Sequence, residues 1–135
     1  MPKKKFTEEG WRDDPWFRSL VSAFKSCKTE EEISNFIRDI GTLSEMQAWS
    51  ERLEVAKQLA RGLSYRQVAE NTGASTTTVT RVAKFIEDGE GGYRKYLILN
   101  KKNIQCEEIL NEKPMEESNH GGVQKAGVLQ KYLNK

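Results

Sequence analysis

The chain has 135 residues, with 22 Lys and Arg against 20 Asp and Glu, a formal charge of +2. At 36% hydrophobic and 31% charged residues it reads as one soluble domain with a modest core, and no apolar run nears the roughly 18 residues that cross a bilayer. The opening lysines precede no apolar signal core, so a cytoplasmic location is expected.

Residues 1–15 are polar and charged, and Pro15 is expected to close a flexible arm. From Trp16 the pattern is helical: Phe17, Leu20, Val21 and Phe24 recur at spacings of three and four, which places them on one face. Thr29 and Glu32 have capping-box spacing, in which the hydroxyl takes an orphan N–H of the first turn and the glutamate reaches back. Ile33, Phe36, Ile37 and Ile40 then form a stripe, and Gly41 is expected to supply a left-handed stop.

Ser44 and Gln47 repeat the capping spacing and open a long helix. Met46, Trp49, Leu53, Ala56, Leu59 and Ala60 are its expected inner face, running to Gly62. Ser64 and Gln67 start a short helix with Val68 and Ala69 inward, ended by Gly73. The next stretch carries four threonines within residues 76–80, which favours a strand by side-chain stiffness. Strand alternation gives no clean apolar face there, whereas a helix capped by Ser75 aligns Val79, Val82, Ala83 and Ile86. Opposite them stand Thr77, Thr80, Arg81 and Lys84, with Thr76 at the first turn. Residues 88–92 break the chain, and Tyr93, Tyr96, Leu97 and Leu99 support a last short helix. The domain is therefore expected over 16–99, followed by a C-terminal tail, 100–135, that is largely disordered or weakly helical, with Ile104 and Ile109 permitting a weak helix.

Two short helices joined at Gly73 outline a helix-turn-helix. The packing needs a small residue where the helices cross, a glycine for positive φ, and a branched apolar anchor in the second helix. Ala69, Gly73 and Val79 meet these needs. In this motif the second helix lies in the major groove with its N-terminal residues toward base edges. Threonine hydroxyls exchange hydrogen bonds with bases and phosphates, and arginine grips guanine bidentately. The candidate DNA-binding residues are Ser64, Tyr65, Arg66, Gln67, Ser75, Thr76, Thr77, Thr80, Arg81 and Lys84, with N–H groups at Ser64 and Ser75 as phosphate sites. From Arg52 to Phe85 there are six basic residues and two acidic ones, so a basic segment lies within a near-neutral chain. The alternative reading is a protein-binding adaptor that uses the same bundle.

Other chemistry has little support. Cys27 and Cys106 are far apart, the single histidine is His120, and no metal-ligand spacing, phosphate-binding glycine loop or nucleophile-base pair is visible. No enzyme and no metal site is expected.

The segments SERLEVAKQLARG and LSYRQVAENTGASTTTVTRV, with TGAS followed by T-x-T-R, resemble the Trp repressor family and its tryptophan-repressor-like branch. The resemblance covers roughly residues 43–97. It implies an all-α, Trp-repressor-like helical bundle with a helix-turn-helix, forming an intertwined homodimer that reads a palindromic operator on double-stranded DNA. A core of short helices that a second copy completes fits that implication. In tryptophan-sensing members two arginines sandwich the indole, and Arg52 and Arg81 match those positions. The glycine that leaves room for the ring is Val82 here, and a serine that holds the amino group is Phe85. The loop before the reading head is also one residue shorter. Val82 and Phe85 are therefore expected to fill the cofactor pocket, with L-tryptophan not required.

Overall fold

The computed structural model describes residues 4–104, and helices make up all of the regular structure among them. Expectations for Cys106, Ile109, His120 and the rest of the tail lie outside the described residues. The described residues divide into two compact units, one up to Met46 and one from Gln47, with the boundary inside the third α-helix.

In the first unit, a 3-10 turn at Trp11–Asp13 leads into α1, Pro15–Ser26. Pro15 opens this helix and does not close an arm. It occupies the first helical position, where its missing N–H costs nothing, and the Asp14 carboxylate accepts from Trp16 N–H at 2.8 Å. Residues 4–14 are tied to α1. Trp11 and Phe6 meet Phe17 edge-on at ring separations of 5.0 and 6.3 Å, and Lys4 Nζ lies 2.8 Å from Asp14 Oδ2 and over the Trp16 ring. The lysine holds the Asp14 carboxyl below its ordinary range, with the Trp16 N–H adding to the effect against a smaller upward push from burial. In α2, Glu30–Ile40, the Thr29–Glu32 capping box forms in both directions. Phe24 of α1 packs edge-on against Phe36 of α2 at 5.0 Å. Gly41 is extended (φ −107°, ψ 145°), so the left-handed stop expected there is absent.

The long helix α3 spans Leu43–Ala60. Its cap is one box earlier than the Ser44–Gln47 pair: Glu45 N–H donates to Thr42 Oγ1 at 3.1 Å, and Thr42 N–H to Glu45 Oε2 at 3.3 Å. Both pairs have the required spacing in TLSEMQ, and a carboxylate at a helix N-terminus is the stronger acceptor.

The second unit holds most of α3 and three shorter helices: α4, Tyr65–Thr72, α5, Thr76–Asp88, and α6, Gly92–Leu99. Its core joins Val55, Ala56 and Leu59 of α3, Val68 of α4, and Val79, Val82, Ala83 and Ile86 of α5 to Leu97 of α6. Ala74 and Ile104 complete it. All four apolar residues expected to face inward from α5 do so. On α3 the buried face is Val55, Ala56, Gln58 and Leu59, whereas Trp49 is 44% exposed. This helix carries apolar side chains on more than one side, so periodicity alone does not say which side the core takes. The helical path continues through 101–104, where Ile104 N–H donates to Asn100 O and the side chain is buried, so the ordered unit runs past residue 99.

Candidate nucleic-acid interface

The α4 helix begins with a complete capping box. Gln67 N–H donates to Ser64 Oγ at 3.2 Å, and Ser64 N–H to Gln67 Oε1 at 3.0 Å. It ends at Gly73, in the left-handed region at φ 75°, whose N–H returns to Ala69 O at 3.0 Å. The Thr72 hydroxyl donates to Val68 O at 2.7 Å and accepts from Ala74 N–H at 3.2 Å, which fixes the turn from both sides. Ser75 then caps α5: its Oγ accepts from Thr78 N–H at 3.1 Å and lies 3.0 Å from Thr78 Oγ1. Gly73, Ala74 and the first turn of α5 are thus each held by a local hydrogen bond. The apolar grip of Val68, Val79 and Val82 holds the two helices together, and each of these side chains is at most 2% exposed.

The opposite face of α5 presents Thr76, Thr77, Thr80, Arg81 and Lys84, all exposed. From Thr77 to Lys84 the helix rises about 10 Å, close to the span of three base pairs. Among the described residues, neither Arg81 nor Lys84 has an ion-pair partner, and the Thr77 hydroxyl makes no hydrogen bond. Thr80 differs, because its hydroxyl donates back to Thr76 O at 2.9 Å.

The α4 candidates are less available. The Ser64 N–H and hydroxyl are both used by the capping box, so the expected open phosphate site at that N–H is closed by the Gln67 side chain. Arg66 pairs with Glu70 at 3.2 Å in full solvent, an arrangement that leaves the guanidinium easily released. Tyr65 packs partly against the core, and burial with the nearby Glu87 charge pushes its hydroxyl pKa up.

Arg52 and Arg81, the two arginines expected at the tryptophan-sensing positions, are both exposed. Arg52 lies near Tyr93, whose pKa is raised by burial and partly lowered again by that charge. Val82 is 2% exposed and belongs to the core. Phe85 is 53% exposed, so within the chain it does not fill a pocket beside Val82. The spacing explains this: Phe85 follows Arg81 by one helical turn on the outer side, whereas Val82, Ala83 and Ile86 make the inner one.

The family model for Trp repressor protein matches residues 16–102. The chain belongs to the Trp repressor family. It is 37% identical over 78 residues to the uncharacterized protein YerC of Bacillus subtilis (strain 168), covering 58% of this chain and 75% of that one. A crystal structure of a Staphylococcus aureus protein, described as a candidate Trp repressor, superposes with a TM-score of 0.62 at 30% identity, covering 73% of this chain and 97% of the other. Family and fold together make this an all-α, Trp-repressor-like chain of the helix-turn-helix, DNA-binding regulatory type. No helix among the described residues is long and apolar enough to cross a membrane.

Sequence reasoning missed one part of the site. Asn71, in the last turn of α4, donates through Nδ2 to Gln58 Oε1 on α3 at 3.1 Å. The signal was a glutamine between Val55, Ala56 and Leu59, a polar residue inside an apolar stretch that calls for a partner.

Proposed function

We propose that the chain is a homodimeric, sequence-specific regulator that occupies a palindromic operator through its α4–Gly73–α5 head and represses by occlusion, with no requirement for tryptophan. The observation that carries the reading is the outer face of α5: Thr77, Arg81 and Lys84 stand exposed beside a helix anchored from behind by Val79 and Val82. A trihelical module built only for stability has no need of unpaired cations there, whereas base edges and phosphates use both. The dimer is supported by large apolar side chains without cover in a single chain, notably Leu43, Trp49 and Leu99, at 65%, 44% and 73% exposure. The tryptophan-independent reading is supported by Val82, whose isopropyl group lies in the core where sensing members carry glycine.

A gel-shift salt series tests the regulatory reading. A regulator keeps its preference for a duplex selected from genomic DNA over a scrambled duplex as salt rises, while total binding weakens. Weak binding lost uniformly on both duplexes would instead favour the adaptor reading.

A further inference from the structure

Gln58 is the single polar side chain in the buried face of α3, at 6% exposure. A buried amide is costly unless both of its ends find partners. Here both do: Nε2 donates to Glu54 Oε1 at 3.1 Å, and Oε1 accepts from Asn71 Nδ2 at 3.1 Å. The direction of this chain is fixed by its first member. A carboxylate only accepts, so Gln58 turns its NH2 toward Glu54 and its carbonyl toward α4, and Asn71 must donate. Burial pulls the Glu54 carboxyl upward, but the Gln58 amide, Lys57 and Arg61 together hold it below the usual carboxylate range, in its accepting form. Asn71 stands two residues before Gly73, so the hydrogen bond joins α3 to the head beside its turn, across 13 residues of sequence.

Apolar packing fixes how close α4 and α5 lie to α3, but it is not directional. A hydrogen bond beside the turn sets an angle. We propose that Gln58 and Asn71 are a positioning pair, oriented by Glu54, that fixes the tilt of α5 and so holds the reading head ready for DNA with no small molecule bound. This rests on the DNA-binding reading above. The head's rigidity, however, can be measured without DNA.

The first test is Asn71→Ala, which removes the donor from an exposed helical position and leaves the core intact. Amide exchange is expected to quicken at Gly73 and Ala74 and to stay unchanged at core positions such as Ile86. Discrimination between a duplex selected with the parent protein and its scrambled counterpart falls about tenfold, the size of one lost hydrogen bond in each head of a two-headed protein. The second test is a swap. Gln58→Glu sets two carboxylates against each other and breaks the chain of donors, so it too loses discrimination. Glu54→Gln combined with Gln58→Glu gives residue 58 a carboxylate that accepts from both neighbours, and restores it. A loss of packing alone would not be repaired by exchanging the two groups. The proposal is overturned if Asn71→Ala exchanges at Gly73 and discriminates like the parent, or if the swapped pair stays as impaired as Gln58→Glu. A parent protein that fails to discriminate between duplexes overturns the regulatory reading, and the exchange comparison then decides the positioning role by itself.

Discussion

Replacing Arg81 with alanine separates function from fold more cleanly than any other single change. The side chain is exposed and has no ion-pair partner among the described residues, and alanine is the better helix former. Stability should therefore move by no more than about 0.5 kcal/mol. For a domain of this size that is a shift of less than about 4 °C in unfolding midpoint. A bidentate arginine–guanine contact discriminates against a wrong base by about 1–3 kcal/mol. For the proposed dimer, two heads on a palindrome would double this to about 2–6 kcal/mol, or roughly 30-fold to 20,000-fold in the preference for the selected duplex. The assay is competition between selected and scrambled duplexes at several salt concentrations, beside thermal unfolding of the same preparations. A base contact lowers the preference and leaves the salt slope of scrambled-duplex binding unchanged. Lys84→Ala is the control: a phosphate contact lowers that slope by about one for each head and affects both duplexes alike. Arg81 reads no base if Arg81→Ala keeps the parent's preference, or if it weakens both duplexes equally.

Calorimetry of the parent protein with L-tryptophan should give no saturable heat up to millimolar concentration, and saturation would sink the tryptophan-independent reading. Val82→Ala should cost about 1–3 kcal/mol, from two methyl groups lost in a packed site, less a small gain in helix propensity. Phe85→Ala should cost less than about 1 kcal/mol at protein concentrations too low for association, because the ring is half exposed; thermal melts rank the two, and the reverse order would contradict the placement of these side chains. At Gly89 an added Cβ would clash with Phe85 O and sit 3.1 Å from its carbonyl carbon, so Gly89→Ala must shift backbone at the end of α5 and lose about 1–3 kcal/mol, read from denaturant midpoints. Light scattering should give twice the chain mass, and Leu99→Asp, at a site 73% exposed in the single chain, should reduce it toward one chain without loss of helix; a parent of single-chain mass would contradict the dimer.

The reading head was legible because short polar helices leave local signals. Ser64 with Gln67, Ser75 alone, and Gly73 mark three ends, and the period of Val79, Val82, Ala83 and Ile86 admits one inner face. Long-range choices were not legible. The α3 sequence is apolar on several sides, and only the position of α4 and α5 selects Val55 over Trp49 as the buried residue. TLSEMQ holds two overlapping capping boxes, and the structure uses the one with the carboxylate. Pro15 reads equally as a stop or a start until Asp14 is seen to accept from Trp16. The inward path of Ile104 depends on contacts with helices far back in the chain. Gln58 and Asn71 are both common surface residues, and nothing in their spacing of 13 announces a bond.

The back-bonded hydroxyl of Thr80 gives the outer face of α5 a chemical polarity. With its proton committed to Thr76 O, this side chain turns only lone pairs and a methyl group outward, while Arg81 beside it can only donate. A base edge opposite Thr80 must then bring an amino group, from adenine or cytosine, or a thymine methyl, and one opposite Arg81 must bring acceptors, as guanine does. A duplex that offers an amino group or a thymine methyl opposite Thr80 and guanine acceptors opposite Arg81 would match the helix, and the inverse would set lone pair against lone pair at Thr80 and donor against donor at Arg81.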